Sequence, residues 1–125
     1  MNRDLVARIL LGIAAAGAAV SAVTAIGALA DASDATKVVE AWRMLAYIVF
    51  AGLFVLLAWR PRGLPGVWEL AIAHKAGIAL LAATFGAATD AVAVRWIDGV
   101  LAVLLVVAYV LARGYGAWRR VPAVA

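Results

Sequence analysis

The sequence predicts an all-α integral membrane protein, a four-helix bundle with both termini in the cytoplasm. Three observations carry that reading. Hydrophobic residues make up 68% of the 125-residue chain and charged residues only 14%, against about 45–50% and about 25% in soluble domains. The apolar residues fall into four runs, each close to the roughly 20 residues that cross a hydrocarbon core about 30 Å thick. The arginines cluster beside alternate ends of those runs, which sorts them to one side of a bilayer.

The runs cover residues 5–29, 38–59, 67–88 and 94–111 of a single domain. Each is read as a helix, because an open strand in lipid leaves backbone groups unpaired. "DASDATK" separates the first two runs, and "RPRGLPG", with Pro61, Gly63, Pro65 and Gly66, breaks the chain firmly between the second and third. Arg3 and Arg8, Arg60 and Arg62, and Arg113, Arg119 and Arg120 gather on one side. Lys37, Arg43 and Arg95 on the other are offset by Asp31, Asp34, Asp90 and Asp98. The positive-inside rule assigns the first side to the cytoplasm. Trp59, Trp68, Trp96 and Trp118 stand near span ends, where interfacial anchors belong. The first run, followed by "ALA" before Asp31, imitates a secretory signal, but it exceeds the roughly 7–15 residues of a signal core and is read as a retained helix.

Composition also removes whole classes of chemistry. The chain has no Cys and one His, so disulfides, thiol redox and an all-protein metal site are not expected, nor is a bound cofactor. The net charge of +4 is explained by its distribution across a membrane, not by nucleic acid. There is no GxSxG elbow, phosphate loop, HExxH or dinucleotide fingerprint. Small multidrug transporters share the length and span number but place a carboxylate inside span one, and this chain has no acid between Asp4 and Asp31.

Helical spacing marks the faces that meet. Lys75, Ala79, Ala82, Gly86 and Asp90 form one stripe, and Asp98, Ala102, Leu105, Tyr109 and Ala112 form another. Glu40, Arg43 and Tyr47, continued by Phe50 and Phe54, define the inner face of span two. Span one repeats small residues four apart (Gly12 and Ala16, Gly17 and Ser21), the spacing that lets helices approach closely. It is read as a scaffold and as a candidate contact with a second copy or a membrane-protein partner.

Depth, at 1.5 Å per residue, sorts the polar residues into two layers. Glu40, Arg43 and Asp98 are expected near the outer boundary, with Asp90 and Arg95 at the rim. Lys75 and His74 lie about 11–13 Å in from the cytoplasmic end, with Tyr47 and Tyr109 at nearly that level. A lysine there requires either a wet cavity or a polar partner. Glu69, His74 and Lys75 are splayed around one helix, so they form no single triad. Glu69 suits the positive end of its helix.

Burial without a partner disfavours a charged amine, and a neutral one can act as a base. Glu69, His74 and Lys75 are therefore candidate proton carriers for isomerisation of a lipid-soluble substrate or for coupled transport. The leading expectation is different: a pocket for a small hydrophobic ligand entering from the bilayer. In it, Lys75, Tyr109 and Tyr47 meet the polar end while Arg43, Glu40 and Asp98 close the outer side.

"EAWRMLAYIVFAGLFVLLAWRPRG" and "RWIDGVLAVLLVVAYVLARG" resemble the DoxX-like group of small bacterial four-helix membrane proteins. Arg43 entering span two, the basic middle loop and the Asp98–Gly99 pair opening span four carry the resemblance, which covers spans two to four. It implies a four-helix bundle in a bacterial inner membrane and carries over no catalytic residue.

Overall fold

The computed structural model describes residues 2–120. It is built of four long helices: α1 (Arg3–Ala30), α2 (Lys37–Trp59), α3 (Val67–Thr84) and α4 (Ala91–Ala112). A short 3-10 segment (Gly114–Arg120) follows. No strand occurs among the described residues. All four helices are long and apolar enough to cross a membrane. Their outward faces carry large apolar side chains such as Val20, Val23, Trp42, Leu70, Leu80 and Val103, all exposed. That surface suits lipid and not water, as in a multi-pass membrane protein.

The boundaries follow from local chemistry. Asn2 caps α1, its Oδ1 accepting from the Asp4 N–H at 3.0 Å. Gly66 enters α3 with φ of 83°, a left-handed geometry that glycine adopts at little cost. α3 stops at Thr84, four residues short of the expected 88, because Gly86 turns left-handed (φ 61°) just beyond the Phe85 cap. α4 correspondingly starts at Ala91 and not at 94. Gly86 and Asp90 thus belong to the connection and not to the α3 stripe.

Packing divides the bundle along its length. α1 packs on α2 and α3 on α4, while α2 and α3 scarcely touch. One end holds the start of α1, the α2–α3 loop and the end of α4; we call it the terminal end, and the opposite one the far end. The core joins all four helices only in the terminal half. Ala7, Leu11 and Ala14 of α1 meet Phe54 and Leu57 of α2, Trp68 and Ala71 of α3, and Leu105, Ala108 and Ala112 of α4. Small alanines let the backbones close up around the large Trp68, Phe54 and Leu57 side chains.

The 3-10 segment seals this end. Gly114 is buried beneath the indole of Trp68 and the ring of Tyr109, where even one methyl group would collide with both. Trp68 is itself fully buried, and its Nε1 donates to the carbonyl of Pro61 at 2.8 Å.

Candidate functional site

The period of α3 puts Trp68, Ala71, Lys75, Ala79 and Ala82 on its buried face. Lys75 is only 6% exposed, the one charged residue buried among those described. Gly99 of α4 has no Cβ, and one placed there would lie 3.8 Å from the Ala79 methyl. The two helices therefore run close one turn above Lys75, and Asp98 comes within reach. The Lys75 Nζ donates to Asp98 Oδ1 at 2.6 Å, with side-chain exposures of 7% and 14%. The same ammonium sits 4.2 Å from the ring centroid of Phe50 on α2, in a cation–π contact. Three helices thus converge on one amine, which answers the sequence's demand for a partner: the partner is a carboxylate.

Above this pair the far half of the bundle holds a half-open cavity of about 700 Å³. Ile13, Gly17 and Ser21 of α1, Tyr47 of α2, and Leu101 and Leu104 of α4 line its walls. Lys75 and Asp98 form a polar floor. Across the mouth, Arg43 bridges to Asp90 at 3.3 Å and to Glu40 at 3.5 Å. Span one was expected to be a scaffold or a partner contact and not to line the pocket. Instead Gly17 and Ser21 face the cavity, and nothing lies within 4 Å of a Cβ placed at Gly12 or Gly17.

The remaining predicted site residues separate into other places. Tyr109 was expected beside Lys75 but donates to Glu69 Oε1 at 2.8 Å, and the Trp118 indole donates to the same oxygen at 2.9 Å. That cluster belongs to the sealed terminal end, where Arg62 also pairs with Asp4 at 2.6 Å. His74 occupies an exposed position and stacks obliquely on Phe50, with centroids 4.6 Å apart. Glu69 therefore stands apart, while His74 and Lys75 both contact the Phe50 ring but form no hydrogen bond with each other. Asp98 was expected in a layer with Arg43 and Glu40. It binds Lys75 instead, and Asp90 takes the place beside Arg43. Tyr47 does line the pocket as expected.

Sequence reasoning did not find Trp118 and Tyr109 as donors to one carboxylate, nor the cation–π role of Phe50. The signal for Phe50 was its place on the inner face of α2, in phase with Tyr47 and Phe54. No comparable signal marked Trp118, which stands beyond the last span.

The floor is balanced in charge, so it does not call for an ionic ligand. Lys75 retains N–H donors beyond the one given to Asp98, and Asp98 Oδ2 accepts no hydrogen bond from the described residues. A carbonyl can accept from the ammonium while a hydroxyl donates to the free carboxylate oxygen. No family model, curated protein or solved structure matches the chain, and the chemistry of the site is read from its geometry.

Proposed function

We propose that this protein binds a small, neutral, lipid-soluble molecule whose hydroxyl or carbonyl end docks on Lys75 and Asp98. The observation that carries the reading is the cavity: about 700 Å³, within the roughly 300–1,000 Å³ of ligand sites, apolar along its walls, with Lys75 and Asp98 at one end and the exposed Arg43–Asp90 pair at the other. The ligand's apolar body replaces lipid contacts with protein contacts at little cost, so the polar end supplies orientation and selectivity. A buried ion pair is a poor device for stability alone, since apolar residues of similar volume serve as well or better. Retaining one at the floor of a cavity is better explained by recognition.

The test uses a long-chain alcohol bearing a photoreactive diazirine, added to the protein in detergent micelles. Saturable crosslinks should map to the cavity walls, at Ile13–Ser21 and Ala93–Leu104. Labelling spread evenly over the outward faces, without saturation, contradicts the proposal.

We further propose a bacterial inner membrane as its location, with the terminal end cytoplasmic. The basic residues Arg3, Arg8, Arg60, Arg62 and Arg113 support this orientation. Because the chain has no Cys, single cysteines placed at Ser33 and Gly63 report sidedness without background. Labelling of Ser33→Cys alone by an impermeant reagent on intact cells fits the assignment; labelling of Gly63→Cys alone reverses it.

A further inference from the structure

A second hollow, of about 490 Å³, adjoins the first along the outward side of α4 and shares the Val100 and Leu104 wall with it. Arg95, Gly99, Val103 and Val107 line it at four-residue intervals, with Leu10 of α1 beside them. That spacing keeps all four residues on one side of the helix. From Arg95 to Val107 the groove runs about 18 Å, close to one leaflet of a core about 30 Å thick. Its lining is apolar except at the far end, where Arg95 stands.

Arg95 lies four residues inside α4, about 6 Å from the far end. That depth is within reach of headgroups for a long basic side chain. Its Nε is buried and has no hydrogen-bond partner among the described residues. No carboxylate among the described residues pairs with Arg95: Asp98 pairs with Lys75 and Asp90 with Arg43. Trp96 beside it is 64% exposed, and the Arg95 guanidinium lies 5.6 Å from the Trp96 ring centroid. An amphipathic indole in this position is typical of the headgroup boundary. An arginine whose Nε lacks a partner thus stands at the end of an apolar groove one acyl chain long.

We propose that this groove is a specific phospholipid site. The phosphate diester accepts hydrogen bonds from Arg95, and one acyl chain lies along Val103 and Val107. An anionic headgroup binds better than a zwitterionic one, because the latter brings its own ammonium toward the arginine. The proposal rests on the chain spanning a membrane and is independent of any ligand at Lys75.

Native mass spectrometry of the protein in detergent, titrated with phosphatidylglycerol or with phosphatidylcholine, tests it. One phosphatidylglycerol should be retained in preference to phosphatidylcholine. Arg95→Gln should weaken that retention about tenfold or more, the loss of a charge-assisted contact. Val103→Trp should do the same by filling the groove; Val103 is 65% exposed, so the change leaves the core intact and serves should Arg95→Gln fail to fold. Lys37→Gln removes another far-end cation outside the groove and should change nothing. Equal losses in Arg95→Gln and Lys37→Gln would mean diffuse charge attraction and overturn the site. Unchanged retention in Val103→Trp would overturn it as well.

Discussion

The two halves of this bundle use the same kinds of residue to opposite ends. In the terminal half, alanines alternate with a few large side chains, and the four helices close on Trp68, Phe54, Leu57 and Leu105, all essentially without exposure. In the far half, buried alanines again line the inner faces (Ala22, Ala25, Ala79, Ala82 and Ala102), but no large buried side chain joins them. The cavity lies there, lined by residues of all four helices. Polar groups follow the same division. Glu69 at the terminal end is held by Tyr109 and Trp118, whereas Lys75 and Asp98 keep free hydrogen-bonding capacity toward the cavity.

The largest expected effect comes from splitting the ion pair. Lys75→Met leaves the Asp98 carboxylate buried without a counter-ion and should destabilise the bundle by about 3–5 kcal/mol. The double substitution Lys75→Met with Asp98→Leu removes both charges and should restore wild-type stability or better. Unfolding in detergent–denaturant titrations measures both, and equal stability of the single and double variants would refute the pairing. Trp68→Ala, at the centre of the closed half, should also cost about 3–5 kcal/mol through the cavity it opens.

Overpacking distinguishes the halves at a smaller scale. Ala108 is fully buried in the closed half, so Ala108→Leu should destabilise by about 1–3 kcal/mol. Gly17→Leu in the open half has room, with nothing within 4 Å of its Cβ position. It should preserve stability, or raise it slightly through better helix propensity, while abolishing labelling by the photoreactive alcohol. A comparable stability loss in both variants would erase the distinction between the halves. Lys37→Gln should cost least, about 0–1 kcal/mol, because its pairing with Asp34 at 3.4 Å is fully at the surface.

Much of the fold was legible because helical periodicity is a local property. The stripes Lys75–Ala79–Ala82 and Ala102–Leu105–Ala112 are buried as their spacing requires, and so are Phe50 and Phe54. Pairing between helices was harder, since depth had to be reckoned from predicted ends. With α4 beginning at Ala91, Asp98 lies about 10.5 Å below the far end, and with α3 ending at Thr84, Lys75 lies about 13.5 Å below it. Those levels are close enough for a lysine stem to bridge. Shifting the two ends by three and four residues was enough to hide the contact and to assign Asp98 to Arg43. Tyr109 was misplaced for a related reason: its neighbour Glu69 is in the first turn of α3, and Trp118, which completes that cluster, comes from a segment with no helical pattern. The buried Lys75 signalled a cavity or a partner, but the cavity's size and its walls on α1 had no sequence signature, because they depend on how the four helices pack at the far end.

Cavity binding at a charged floor is tested most directly by saturable photolabelling with the diazirine-bearing alcohol, comparing the wild type with the Lys75→Met, Asp98→Leu double variant. The double variant should unfold at wild-type denaturant concentrations or higher while losing saturable labelling of Ile13–Ser21 and Ala93–Leu104. Undiminished labelling of those segments in a folded double variant would show that Lys75 and Asp98 take no part in recognition.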